Sequence, residues 1–186
     1  MHRRLALPAL LALLVVGLLA GSAFAARTQD ATATIDLEDN KALARRFHGE
    51  IFNEGNLAVA DEIVAPDFVW HYPGMTDEGA YDPNRITAIG PEEVKQQAED
   101  IRAFYSDLVL TDEDEIAEGD RVVIRWSLTG TAQVEAGGVP VTVTGIDIFR
   151  ITDGQLAELW QHFDELGLNQ QLEEIPATPR TGTPTS

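Results

Sequence analysis

The sequence predicts an α+β domain in which helices come first and a run of antiparallel strands follows. Apolar residues recur at helical spacing near the start of the patterned region. From Leu108 onward, four segments of strand composition succeed one another, punctuated by Gly119-Asp120, Gly137-Gly138 and Asp153-Gly154. No strand alternates with a helix in the manner of a parallel α/β sheet.

Leu37 to Phe52 carries Leu43, Phe47, Ile51 and Phe52 between Arg and Glu residues, the spacing of an amphipathic helix. Asn53-Glu54-Gly55-Asn56 ends it. A short second helix, Leu57 to Val64, stops at Ala65-Pro66, since the residue before a proline is driven out of the helical region. Asp67 to Tyr72 reads as a strand. Pro73 to Gly90, with Gly74, Gly79 and Pro83, reads as a long irregular loop, a feature that is usually functional in a compact domain. Pro91 followed by Glu92 and Glu93 opens a third helix running to about Tyr105. Strands are expected at Leu108 to Ala117, Arg121 to Thr131, Val139 to Ile151 and Gln155 to Phe163, and a last helix at Asp164 to Leu172.

The hairpin between the last two strands decides which side chains share a face. A two-residue Asp153-Gly154 turn pairs Thr152 with Gln155, whereas a three-residue loop with Gly154 left-handed pairs Ile151 with Gln155. The three-residue loop is preferred here because it collects Asp147, Phe149, Ile151, Ala157, Leu159, Gln161 and Phe163 on one mostly apolar face. Ile146, Ile148, Arg150, Glu158, Trp160 and His162 fall on the other. Asp147 and Gln161 are the polar exceptions of the inner face. A carboxylate facing an apolar concavity is costly unless it is paired or used.

The chain has 186 residues, 13 basic and 31 acidic, and no cysteine. Residues 1–25 read as a secretory signal peptide: His2-Arg3-Arg4, an apolar run from Leu5 to Ala20, and Ala23-Phe24-Ala25 as cleavage site. The run is short of the about 20 residues a bilayer span needs. The expected location is therefore secreted or extracytoplasmic, with no membrane association after cleavage. Removing Arg3 and Arg4 takes the basic count from 13 to 11 against 31 acidic residues, a net charge of −20. Such a chain repels phosphate backbones and anionic lipid, which argues against nucleic acid as a partner. Without cysteine there is no disulfide, thiol nucleophile or thiolate metal site. Residues 26–36 read as a polar tether, 37–175 as one domain, and 176–186, PATPRTGTPTS, as a disordered tail.

Several phrases, in this order and spacing, resemble the SnoaL-like polyketide cyclase or ester cyclase family of the NTF2-like superfamily: FHGEIFNEGNLAVADEIVAPDFVWH, GPEEVKQ, IAEGDRVVIRWSLTGT, VTGIDIFRITDGQLAELWQHFDELGL and NQQL. The resemblance spans about Asn40 to Leu172. It implies a cone-shaped barrel, with the N-terminal helices packed in a strongly curved antiparallel sheet, a small-molecule pocket, and dimerisation through the outer face of the sheet. It also implies aldol-type ring closure without metal or organic cofactor. Such chemistry needs a base for the proton alpha to a carbonyl and a donor for the enolate oxygen. In the family pattern the last strand reads Glu-His-Trp-Asp, its Asp being the acid/base. Here the phrase is Glu158-Leu159-Trp160-Gln161, and a second pocket position on the preceding strand is Asp147. An amide takes up no proton near neutral pH.

Asp147 is the leading candidate for a general base, and its structural alternative is pairing with Arg125 or another strand residue. Gln161 is placed to hydrogen-bond a substrate carbonyl. His71, at a strand end and the cone mouth, suits a proton carrier or a plain surface role. Trp70, Trp126, Phe149 and Leu159 are expected to line the ligand site, among aromatics that otherwise build the core. His162 falls outside. The histidines and acids show no metal-ligand spacing, and neither a serine elbow nor a phosphate loop occurs. Three functions fit: a cofactor-free enzyme of ester or carbonyl chemistry, a non-catalytic domain capturing a small apolar or aromatic ligand outside the cytoplasm, and a homodimeric interaction module with a filled pocket.

Overall fold

The computed structural model describes residues 36–135 and 137–173. The signal peptide, all of the tether but Asp36, and the tail lie outside the described residues. Helix α1, Leu37–Arg46, begins where the Asp36 carboxylate accepts the Glu38 N–H at 2.9 Å. Glu38 and Asp39 at its start and Arg45 and Arg46 at its end complement the helix dipole. The helix then widens into a π-helical segment, Phe47–Asn53, where one long α-helix was expected. Its last turn closes with the Glu54 N–H donating to the Gly49 carbonyl at 3.0 Å. The Arg102 guanidinium holds the Asn53 carbonyl at 2.7 Å, so the end of the wide turn is satisfied from α3, Gly90–Phe104. Helix α2 is short, Val59–Ile63.

Strand β1, Val64–His71, starts before the expected Asp67. Its pairing is irregular between Val64 and Val69, around Pro66, which has no N–H to give to a ladder. The stretch from 73 to 90 is more ordered than its composition suggests. It holds a small hairpin, β2 Gly74–Met75 with β3 Tyr81–Asp82, and then β4, Ile86–Ile89, which pairs antiparallel with β1. Strands β5 Tyr105–Glu118, β6 Arg121–Val134, β7 Gly137–Thr152 and β8 Gln155–Phe163 follow, then α4, Glu165–Glu173.

The main sheet runs β4-β1-β8-β7-β6-β5. It is mixed rather than wholly antiparallel, because β1 and β8 pair parallel. Such a pair needs a long crossover, which α3 and the three strands after it supply. β4 and β5 are free edges, so the curved sheet forms an open cone and not a closed barrel. Phe47 and Ile51 of the π segment meet Ile63, Phe68, Ile124, Phe149, Leu156 and Leu159 in the core, all essentially without solvent contact. None of the described helices is long and apolar enough to cross a membrane.

The β7–β8 hairpin uses the two-residue turn, not the preferred three-residue loop. Asp153 and Gly154 have φ of 51° and 76°, the left-handed pair of a type I′ turn. Thr152 faces Gln155 and Ile151 faces Leu156, but Arg150 faces Glu158, so Ala157 is the extra residue of a bulge. The bulge restores the expected inner face for Asp147, Phe149, Ile151, Leu159, Gln161 and Phe163, with Leu156 in place of Ala157. It also sets Asp147 directly opposite Gln161.

Candidate functional site

Alternation along β7 turns Asp147 inward between the outward Ile146 and Ile148, and its residue is only 1 % exposed. The Trp126 indole N–H of β6 donates to Asp147 Oδ1 at 2.8 Å. The contact depends on Gly145, because the Trp126 ring lies across it. A Cβ there would sit 2.6 Å from the His162 carbonyl and collide with the indole. Gln161, across the ladder, donates to Asp147 Oδ2 at 3.4 Å.

The third partner is His48. Its Nε2 stands 3.1 Å from Asp147 Oδ2 and its Nδ1 2.6 Å from Asp112 Oδ1. Three local features bring these groups together. The π segment carries His48 into the core beside Phe47, with the Phe149 ring edge-on at 5.7 Å. Alternation along β5 turns Asp112 inward after Leu108 and Leu110, and the bulge between Asp112 and Asp114 shifts the inward parity only beyond it, to Glu115 and Ala117. Asn53 then fastens the segment to β5, donating to the Leu110 carbonyl at 2.8 Å and accepting its N–H at 2.7 Å.

Two carboxylates can both accept from one imidazole only when both ring nitrogens carry protons. Burial opposes a charge on His48, yet the hydrogen bonds from Asp112 and Asp147 and their negative charge outweigh it. The pKa is raised to about 9, and the ring is an imidazolium at neutral pH.

Beside this trio lies a cavity of about 300 Å³, lined by apolar side chains such as Phe52, Leu110, Leu128 and Val143. Its polar groups are His48, Trp70, Tyr105, Trp126, Asp147 and Gln161, with Asp100 on α3, and the buried Trp70 indole N–H has no partner among the described residues. No lysine or arginine lines it. Burial raises the Tyr105 phenol, so it keeps its proton. The volume sits near the low end for small-molecule sites, about 300–1,000 Å³. An open cavity of this size removes the reading in which side chains fill the pocket.

Of the residues expected from sequence, Asp147, Gln161, Trp70 and Trp126 line the cavity. Phe149 and Leu159 face inward but stand behind the wall. Phe149 packs on Phe47 at 5.3 Å, and Leu159 lies nearer the turn, where α1 and α2 cover β8. His71 is not with them. Adjacent to inward Trp70, it points to the outer face, with Nε2 2.9 Å from Glu158 and its ring stacked on Trp160 at 5.5 Å. Arg125, the partner considered for Asp147, is exposed on the outer face. His48 and Asp112 were missed. The signal for His48 was present, since it lies four residues after Ala44 and four before Phe52, in one buried stripe. The signal for Asp112 was present too, since strand alternation from Leu108 and Leu110 points it inward.

Among the described residues no cluster of three or more His, Asp or Glu side chains is arranged to hold a metal ion. Solved structures with this fold include TsrD from Streptomyces laurentii, 29 % identical, with a TM-score of 0.62 over 74 % of this chain and 97 % of that one. IdmH from Streptomyces antibioticus is 28 % identical, with a TM-score of 0.61 over 72 % and 98 %. A SnoaL-like protein from Jannaschia sp. CCS1, 21 % identical with a TM-score of 0.62 over 75 % and 94 %, shares the fold. No protein with a curated description matches the chain. The profile of the SnoaL-like polyketide cyclase family matches residues 42–172, the stretch that carries the cone, the trio and the cavity, and the chain belongs to that family.

Proposed function

We propose that the cavity receives a small, mostly apolar or aromatic carbonyl compound and that Asp147 removes a proton alpha to its carbonyl, without a cofactor. The observation that carries this reading is a carboxylate 1 % exposed in an apolar cavity, held by three donors. An ionised carboxylate has about four acceptor sites, so one on Oδ1 remains for a substrate proton. The C–H bond breaks toward Asp147 and its electron pair passes to the carbonyl oxygen as an enolate. Gln161 and Tyr105 are the donors on the cavity wall for that oxygen. The enolate carbon then attacks a second carbonyl of the same molecule, and the new alkoxide recovers the proton from Asp147. This is the aldol-type chemistry implied for the family's ester cyclases. The His48 imidazolium supplies the positive charge that a negative intermediate requires in a site without lysine or arginine.

A second reading, a non-catalytic extracytoplasmic binding domain, is favoured by Gln161 standing where the family pattern has its acid/base Asp. An uncharged ketone, 2-tetralone, separates the two. Binding is followed by tryptophan fluorescence, and exchange of its alpha protons in heavy water by NMR. The enzyme reading expects exchange above background, and Asp147→Asn should lower it at least a hundredfold with little change in affinity. Binding without exchange leaves the second reading, and absence of both overturns the two together.

We further propose that the chain is exported after cleavage behind Ala25, on the strength of residues 1–25. It is also proposed to pair with a second copy through the outer face of the sheet. Support for pairing comes from the register, which aligns Ile116, Val123, Ile148 and Trp160 in one row across four strands. Charged rows flank it, with Arg121, Arg150 and Glu158 on one side and Asp114 and Arg125 on the other. Trp160 itself is already sandwiched between His71 and the Arg121 guanidinium at 5.0 Å, and Ile116, 63 % exposed, is the barest member of the row.

A further inference from the structure

We infer that Asp112 is a positioning residue that acts through His48, holding the ring doubly protonated so that it faces Asp147 as a cation. This inference rests on the proton-abstraction reading of Asp147 for its catalytic consequence, and on geometry alone for the link between Asp112 and His48.

The bond from His48 Nδ1 to Asp112 is the shorter of the two, 2.6 Å against 3.1 Å to Asp147. Asp112 is also the wetter carboxylate, with its side chain 18 % exposed against 1 % for Asp147. It therefore retains some solvation as an anion while Asp147 has almost none. A neutral imidazole has one N–H and one lone pair. Left between two carboxylates, it would turn that lone pair on one of them. Fixing Nδ1–H on Asp112 leaves Nε2 to decide, and the Asp147 carboxylate requires N–H there too.

The consequence for the site is directional. His48 is a donor toward Asp147 and not a competing base, so the lone pair that accepts the substrate proton belongs to Asp147 Oδ1. When Asp147 takes a proton, the imidazolium stays in place with Asp112 behind it. The charged groups that act on His48 are Asp112 from β5 and Asp147 from β7. The others nearby are engaged elsewhere. Arg45 of α1 holds Glu115 of β5, while Arg46 holds Glu50 and Glu62. Lys95 of α3 holds Asp61 and Glu92, and Asp100 of α3 is a surface carboxylate on the far wall of the cavity.

The test reads His48 itself in the 15N-labelled full chain, by long-range correlation of the ring nitrogens across a pH series. In the wild type both nitrogens should carry protons at neutral pH, with loss near pH 9. In Asp112→Asn the midpoint should fall by at least one pH unit, tenfold in proton affinity, and the neutral ring should keep its proton on Nε2, facing Asp147. The alkaline limb of 2-tetralone exchange should move down with the same midpoint while affinity for the ketone holds. Asp112→Glu should restore both, and this variant decides the matter if Asp112→Asn does not fold. A midpoint unmoved in folded Asp112→Asn, or a wild-type ring with bare Nε2 near neutral pH, overturns the inference. Should the ring titrate as stated while no variant or wild type exchanges the ketone, the proton-abstraction reading fails and the hold of Asp112 on His48 stands.

Discussion

Raising the pH should withdraw a defined share of the stability of this fold through one residue. His48 is almost solvent-free, and its two carboxylate partners raise its pKa from the ordinary 6.5 to about 9 against the opposing effect of burial. A folded-state pKa above the unfolded one means that the folded chain holds the proton more tightly. The stabilisation is complete below pH 6.5, declines as pH rises through about 9, and is gone above it. A rise from 6.5 to about 9 is worth about 3 kcal/mol. That is a large part of the about 5–15 kcal/mol by which a domain is stable. For a domain of this size it corresponds to roughly 10 °C in Tm. The assay is urea unfolding followed by tryptophan fluorescence at steps from about pH 6 to about pH 10, with His48→Gln as the control. Lysines and tyrosines also titrate at the upper end, so the quantity to compare is the difference in slope between the two proteins. A wild type whose stability is flat over that range, or a His48→Gln variant that loses as much, would refute the reasoning.

Two further outcomes are expected. Ile116→Lys places a charge in the most exposed position of the apolar row on the outer face, and should convert a dimer to monomers in light scattering while leaving the thermal transition within a few degrees; a wild type that is monomeric at high concentration refutes the pairing. Expression of the full chain in a bacterial host should give an extracytoplasmic protein whose N-terminal residue is Ala26, and a chain still beginning at Met1 in the cytoplasm refutes export.

Local pattern revealed the order of helices and strands, the inner face of the last hairpin and the cavity positions of Asp147 and Gln161. It missed what depends on parity or on distant partners. The β8 bulge at Ala157 and the β5 bulge after Asp112 each shift a strand by one residue, the latter moving the inward set to Glu115 and Ala117, and nothing in the adjacent sequence demands either. The parallel pairing of β1 with β8 joins segments nearly ninety residues apart, so no turn signal announces it. Of the two roles open to His71, its outward position fits the surface one. Trp70 and His71 are neighbours on a strand, so only one of them can face the cavity. The apolar helical face through Phe47 and Ile51 does not by itself point to His48, which belongs to the adjacent stripe of Ala44 and Phe52.

The paired register also bears on the missing acid/base of the family pattern. Gln161 occupies the position of that Asp, and Asp147 occupies the second pocket position on the preceding strand. In this chain the two are direct cross-strand partners. Neighbours of that kind have Cβ atoms about 5 Å apart. On the proposed reading, the base at Asp147 stands one strand away from the position of the family's Asp and on the same wall of the same cavity. That place also sets what stands behind the base. On β7 the carboxylate is within reach of Trp126, across a glycine that admits the indole, and of a histidine delivered by the π segment. Buried ion pairs are poor stabilisers compared with a well-packed apolar core, because desolvation cancels much of their attraction. Phe47, Ile51 and Phe149 already supply such a core beside the trio. On the proposed reading, an Asp–His–Asp arrangement set into that wall leaves one acceptor site of Asp147 for a ligand, beyond the share of stability that the trio lends the fold.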